Sequence, residues 1–225
     1  MWGVSIAAKK PQTGTRRSQP GSGGDGDGAT RRRVIDAAVA CILESGFYRA
    51  STNEIARRAG VTWGVIQHYF GTREALMLAV LQDGARQFAE VVEDAHVEGD
   101  TAEQRVEHLL DILTSHYGQP EFLAYLQVLL NMDHDPRTSV EVRKTMREVS
   151  ERSGDHVRRL LREGLGPAAS TPDLATTVFL VLRGFAISQQ LQGTMSYDVS
   201  APKADRAARQ RRILAGILAP HLETR

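Results

Sequence analysis

Apolar side chains recur at steps of three and four residues along most of this chain, a period typical of amphipathic helices. The first such stretch runs from Arg31 to Phe47 and places Ile35 and Ile42 on one face. Caps, glycines and prolines divide the remainder into further helices. Their predicted ranges are 51–59, 62–70, a long helix after 72, 101–117, 120–130, 138–164, 171–192 and 203–222. No strand-like alternation competes, so the sequence predicts an all-α protein of about nine helices.

Residues 51–70 are predicted to form two short helices around a glycine turn. Ser51 caps the first helix, and Glu54 three residues later completes a capping box. Gly60 lies where the chain must reverse, with a positive φ that glycine adopts at little cost. Thr62 then caps the second helix. Its inward side chains are Val65, Ile66 and Phe70, and its outward ones are Trp63, Gln67, His68 and Tyr69. This is a helix-turn-helix, whose second helix enters the DNA major groove.

The stretch from about residue 31 to 81 resembles the N-terminal DNA-binding domain of the TetR family of transcriptional regulators. The positions that match are Ile55-Ala56, Ala59-Gly60-Val61-Thr62, Gly64, Phe70 and Glu74-Ala75-Leu76. The resemblance implies a three-helix N-terminal domain followed by a helical domain that binds an effector and forms a dimer. Gln67 and Trp63 depart from the residues usual in the family, which leaves the operator sequence open.

Composition divides the chain into three parts. Residues 1–29 are rich in glycine and serine and are predicted to be a disordered basic tail, either an arm along DNA or simply solvated. Residues 30–80 form the predicted DNA-binding domain, and residues 81–225 the effector-binding and dimerisation domain. Basic side chains outnumber acidic ones by four to two and by seven to four in the first two parts, whereas acidic ones prevail by 21 to 17 in the third. The positive end is the one expected to meet phosphate.

Ten side chains are predicted to contact DNA. They are Arg31, Arg32, Arg33, Ser51, Thr62, Trp63, Gln67, His68, Tyr69 and Arg73. The arginines before the first helix are expected to reach phosphates or the minor groove, and Arg73, at a position that is basic in the family, to clamp another phosphate. Ser51 and Thr62 offer hydroxyl and backbone N–H groups at helix N-termini.

Gln67 is the predicted base reader, because its amide can pair with adenine N6 and N7 at once. Trp63 is expected to stack on a thymine methyl or a sugar. His68 and Tyr69 either hydrogen-bond to DNA or only seal the motif against the fourth helix.

The resemblance implies that helices five to eight surround an effector pocket. Its candidate residues are His116, Tyr117, Phe122, Tyr125, Met132, Met146, Phe179, Arg183 and Gln189. Aromatic and methionine side chains with few polar groups suit a medium-sized, largely apolar ligand, although the same side chains also suit a plain core. Arg183 is expected to be buried and to need a partner, either a ligand carboxylate or an acidic residue of a neighbouring helix.

Apolar stripes on the last two helices predict a homodimer. They comprise Leu174, Val178, Val181, Leu182, Phe185, Ile213, Leu214, Ile217 and Leu218. The resemblance implies that these helices pair with those of a second subunit in a four-helix bundle, and a dimer matches the palindromic sites of helix-turn-helix proteins. The alternative is that they close the subunit's own core.

Other classes find less support in the sequence. There is no nucleophile elbow, P-loop, dinucleotide glycine motif or His-Glu-x-x-His helix, so an enzyme is not expected, and no metal or cofactor is predicted. Cys41 is the only cysteine, which excludes an internal disulfide. No apolar run reaches the length of a membrane span, and the N-terminus lacks a secretory pattern, so a cytoplasmic location is expected. An effector-independent architectural DNA-binding protein is the main rival, and a helical-bundle enzyme a remote one.

Overall fold

The computed structural model describes residues 23–166, 171–191 and 203–219, and across these residues it contains helices and no strand. The helices are α1 (Gly23–Ser45), α2 (Thr52–Ala59), α3 (Trp63–Phe70), α4 (Arg73–Val92), α5 (Ala102–Tyr117), α6 (Pro120–His134), α7 (Val140–Leu165), α8 (Pro172–Leu191) and α9 (Lys203–Leu218). The predicted all-α fold is confirmed. In the described part of the chain, no helix is both long and apolar enough to cross a membrane.

Helix α1 begins earlier than the sequence predicted. Residues 23–29, expected to be disordered, form its first two turns. Two interactions favour helix here: Asp27 places negative charge near the helix N-terminus, and the hydroxyl of Tyr69 on α3 donates a hydrogen bond to the Asp27 carboxylate. Residues 1–22, which hold the rest of the predicted tail, lie outside the described residues.

The turn between α2 and α3 follows the predicted chemistry, with two corrections. Gly60 has φ +65°, and its N–H donates to the carbonyls of the last turn of α2. The Ser51 hydroxyl accepts the Glu54 N–H at 3.2 Å, so the cap is present. The Glu54 carboxylate, however, pairs with Arg57 instead of closing the capping box, because an arginine three residues on offers a bidentate charged partner. Thr62 stands at the N-cap of α3 without a side-chain capping bond.

Two apolar cores share helix α4. The first core packs α1, α2, α3 and the start of α4 against α6 and α7, with Ile35, Ile42 and Leu76 fully buried. The second packs the end of α4 against α5, α7, α8 and α9, around Phe88 and Leu160. Since α4 runs straight across residue 80, the helix-turn-helix and the remainder are joined by one continuous element. The boundaries placed at residues 30, 80 and 81 stay predictions.

The predicted apolar stripes of α8 and α9 divide between two sides. Leu174, Val178, Leu214 and Leu218 pack into the second core, so that part of the stripe serves the subunit itself. A different set points outward: Leu180, Ile187, Ile213 and Ile217. The side chains of Leu182 and Phe185, and the predicted extension of the last helix beyond residue 219, lie outside the described residues.

Candidate nucleic-acid interface and ligand cavity

Helix α3 presents a polar and aromatic outer face. Ile66 is buried against the first core, whereas Gln67 and His68 are exposed and the Trp63 indole is 55% exposed. Thr62 is exposed at the N-terminus of the helix. The outward side chains predicted from sequence are therefore presented together on the helix that follows the glycine turn, as a recognition helix requires.

Tyr69 is half-buried and tied to α1. Besides the hydrogen bond from its hydroxyl to Asp27, its ring contacts His68 edge-on, with 5.3 Å between centroids. The hydrogen bond to Asp27 raises the pKa of Tyr69. Tyr69 thus couples the recognition helix to the first turns of α1, and not only to DNA or α4 as predicted.

Arg73 points inward, contrary to prediction. Its guanidinium donates to the backbone carbonyls of Phe47 at 2.6 Å and Ala50 at 3.4 Å, and lies 4.5 Å from the centre of the Phe47 ring. Burial lowers the pKa of this half-buried group. Both carbonyls belong to the loop between α1 and α2, where no helical N–H donates to them. The Arg73 guanidinium satisfies them and is therefore not directed towards phosphate.

The three arginines predicted to precede the first helix are part of α1. Arg32 pairs with Asp36 at 2.8 Å and with the buried Asp83 of α4 at 2.9 Å, so it joins two helices. The Arg31 guanidinium lies 5.4 Å from the centre of the Phe70 ring. Arg33 donates to the Thr30 hydroxyl at 3.3 Å and is exposed. Arg31 and Arg33 are exposed and can reach a phosphate, whereas the Arg32 guanidinium is paired with Asp83 of α4.

A cavity of about 340 Å³ lies between α4, α6 and α7 and is reached by α5 and α8. It brings together five of the nine predicted ligand residues, His116, Tyr117, Phe122, Tyr125 and Arg183. Phe88 adds a third ring beside Tyr117 and His116, at centroid distances of 5.6 and 5.1 Å. The walls are mainly aromatic and aliphatic, as in ligand sites generally.

The other four predicted ligand residues do not line this cavity. Met132 is buried in the first core, and Met146 lines a neighbouring cleft described below. The side chains of Phe179 and Gln189 lie outside the described residues. Arg183 is exposed at the rim rather than buried, because α8 lies at the surface of the single subunit.

Helix α4 supplies wall residues that the sequence analysis missed, among them Gly84 and Phe88. The apolar positions of α4 that continue beyond residue 80 were the available signal. A Cβ on Gly84 would lie 2.6 Å from Cδ2 of Tyr125, so only glycine lets this ring pack against α4.

Burial controls ionisation in the cavity. Desolvation lowers the pKa of His116 to about 4, so its imidazole is neutral near pH 7. Burial likewise raises the pKa of Tyr117 and Tyr125 to about 12. His116 makes no hydrogen bond with any residue that the structure describes. The cavity therefore offers one neutral imidazole with hydrogen-bonding capacity among apolar walls.

Asp83 connects the cavity wall to the DNA-binding helices. It is the only buried carboxylate among the described residues, and it accepts hydrogen bonds from Arg32 of α1 and from Arg86 and Gln87 of α4. The Asp83 charge and the Gln87 side chain also act on the phenol of Tyr125 in the cavity wall, whose pKa is raised mainly by burial. A chain of polar contacts thus runs from the cavity to α1.

Metal-binding groups and the single cysteine bear on other kinds of chemistry. Within residues 23–166, 171–191 and 203–219, no group of three histidine, cysteine or acidic side chains is placed to hold a metal ion. Cys41 is buried in the first core, where desolvation raises the pKa of its thiol.

The recognition helix on its three-helix support defines a helix-turn-helix protein, and comparison with known proteins specifies which kind. The profile described as "Bacterial regulatory proteins, tetR family" matches residues 34–80. The HTH-type transcriptional regulator BetI of Escherichia coli O17:K52:H18 is 39% identical over 84 residues, which are 36% of this chain and 43% of BetI. The chain therefore aligns with less than half of this relative, and the match identifies residues 34–80 as a helix-turn-helix domain of the TetR type.

Solved structures extend the likeness to the whole fold. The regulator FadR of Bacillus subtilis, in complex with stearoyl-CoA, is similar over 84% of this chain and 97% of its own, with a TM-score of 0.61 and 20% identity. The multidrug binding protein EbrR, complexed with malachite green, is similar over 84% of this chain and 98% of its own, with a TM-score of 0.58 and 25% identity. These likenesses support the all-helical fold seen in the described residues.

Proposed function

We propose that this protein is a ligand-responsive, DNA-binding transcriptional regulator, a repressor that a small, largely apolar effector releases from a palindromic operator. The observation that carries the proposal is α3, which follows the Gly60 turn and exposes Trp63, Gln67 and His68 side by side. The proposed role is regulatory and not enzymatic.

In this proposal, Gln67 reads an adenine in the major groove, with Trp63 and His68 beside it. Ser51 and Thr62 bind phosphate at the N-termini of α2 and α3. Replacing Gln67 by alanine is expected to relax the preference at one base pair by about 1–3 kcal/mol. The measurement is binding to a panel of operators that vary one base pair at a time, with Gln82→Ala on the exposed side of α4 as the control. An unchanged preference at every position would show that Gln67 does not read bases.

The proposed assembly is a homodimer formed by α8 and α9. Its support is the outward apolar face made of Leu180, Ile187, Ile213 and Ile217, of which Leu180 is 64% exposed. Large apolar side chains exposed at a surface favour burial against a partner. Two identical recognition helices would then match the two halves of an inverted repeat.

The proposed effector site is the apolar cavity, and the solved neighbours EbrR and FadR, each complexed with a small molecule, support it by analogy. The effector would act by population shift: it binds more tightly to a state in which the recognition helices are spaced wrongly for DNA. The polar chain from Tyr125 through Gln87 and Asp83 to Arg32 is the route we propose for the coupling.

The rival proposal is an architectural DNA-binding protein without an effector. Selection of binding sites from random DNA with the purified protein distinguishes the two. Recovery of an inverted repeat is the expected result, because a dimer presents two recognition helices about one helical turn of DNA apart. Recovery of no motif would favour the architectural role if the affinity for DNA also falls with salt concentration and does not depend on DNA sequence.

A further inference from the structure

A second, more polar cleft adjoins the apolar cavity. This cleft, of about 380 Å³, lies between α6 and α7. Leu129, Ser150, Glu151 and Arg183 line both spaces, so the cavity and the cleft are direct neighbours. A ligand extending from one into the other would meet aromatic walls at one end and charged walls at the other.

Arginines dominate the charged end. Arg143 donates to the carbonyls of Asp133, Asp135 and Thr138 at 2.6–3.0 Å, so it holds the loop before α7. Arg147, one helical turn further on, is exposed in the cleft wall and makes no hydrogen bond or ion pair with any described residue. Its guanidinium is therefore available to a ligand.

Arginines outnumber carboxylates in these walls. The cavity and cleft together are lined by four arginines and two carboxylates, the latter being Asp133 and Glu151. Arg158 already pairs with Asp155 at 2.5 Å, so Arg147 is the arginine best placed to meet an anion.

We propose that the cavity and cleft form one site for an anionic amphiphile. The hydrocarbon tail fills the aromatic cavity around Phe88 and Phe122, and the carboxylate or phosphate head lies in the cleft against Arg147. Arg147 supplies the head with charge-assisted hydrogen bonds, whereas burial of the tail supplies most of the affinity. This inference names the chemical class of the effector in the proposed function. Binding of the ligand does not depend on that proposal, but release of DNA by the ligand does.

Calorimetric titration with ligands that share one tail tests the proposal. The probes are decanoate, decyl phosphate, decanol and decyltrimethylammonium. The two anions are expected to bind at least about tenfold more tightly than decanol, the cation most weakly, since a hydrogen bond to a charged group contributes about 1.5–3 kcal/mol. Preference between the two anions identifies the head group.

Variants locate the head. Arg147→Gln is expected to weaken both anions about tenfold and to leave decanol unchanged. Arg162→Gln, an exposed arginine of α7 outside these walls, is the matched control and should change neither. Equal affinity for decanol and decanoate, tighter binding of the cation, or no binding of any probe would overturn the proposal. If Arg152→Gln loses affinity for the anions and Arg147→Gln does not, the head group does not lie against Arg147. Selection of DNA sites by the ligand-free protein tests the regulatory function separately.

Discussion

At the scale of single residues, two side chains with the same predicted role are oriented oppositely because their surroundings differ. Gln67 and Arg73 were both predicted to meet DNA, six residues apart. Gln67 remains exposed, whereas the Arg73 guanidinium turns inward to two loop carbonyls. Sequence identifies arginine as a phosphate ligand but does not reveal unsatisfied carbonyls 23 and 26 residues away that compete for it.

Arg73→Ala is therefore expected to lower the free energy of unfolding by about 2 kcal/mol, through lost hydrogen bonds and the lost contact with the Phe47 ring. Urea denaturation measures it. Arg49→Ala, an exposed arginine nearby, should change stability by less than about 0.5 kcal/mol. Wild-type stability combined with weaker binding to every DNA sequence would restore the phosphate role to Arg73.

His116 makes the protein sensitive to acid. Its pKa is lowered to about 4 in the folded chain, so the unfolded chain binds the proton more readily below about pH 6.5. The free energy of unfolding is fully retained above pH 6.5 and is expected to fall by about 2–3 kcal/mol as the pH drops towards 4. Urea titrations at several pH values measure this loss, which His116→Asn should reduce. An identical pH dependence in the variant would exclude His116 as the cause.

At the scale of elements, α4 unites what the sequence divided. Its first half packs in the helix-turn-helix core, and its second half forms a wall of the cavity. Sequence predicted where α4 begins, since Thr72 accepts the Ala75 N–H as a cap. That Asp83 is buried and joined to Arg32 depends on how α1 crosses α4, which is a matter of packing.

Gly84 is expected to be intolerant of alanine, although alanine ordinarily favours a helix. The added Cβ would displace the Tyr125 ring, and such overpacking costs about 1–3 kcal/mol. Gly28→Ala on α1, where a Cβ meets nothing within 4 Å, should instead maintain or raise stability. Thermal unfolding compares the two. If Gly84→Ala is equally destabilising when Tyr125 is also alanine, the ring contact is not the reason.

At the scale of the whole molecule, the apolar faces of α8 and α9 bear on assembly. Ile213 and Ile217 are each 57% exposed in the single subunit. Ile213→Asp is expected to convert a dimer into monomers, because a carboxylate would be buried in an apolar interface, and to abolish tight operator binding.

Sedimentation and operator titration measure both effects of Ile213→Asp. The control is Val140→Asp, since Val140 is 80% exposed at the start of α7 and remote from these helices. A variant that still sediments as a dimer would place the interface on another surface.

The sequence by itself determined what depends on neighbours in the chain. Helical period, the Ser51 and Thr72 caps, the capping box at Thr101 and the positive φ of Gly60 are all decided by interactions within about four residues. The tertiary structure alone decided which arginine meets solvent, how the apolar stripes divide between core and surface, and that α4 carries the cavity wall. Those outcomes follow from contacts between residues far apart in sequence, where burial and competing partners, rather than residue type, set the orientation of each side chain.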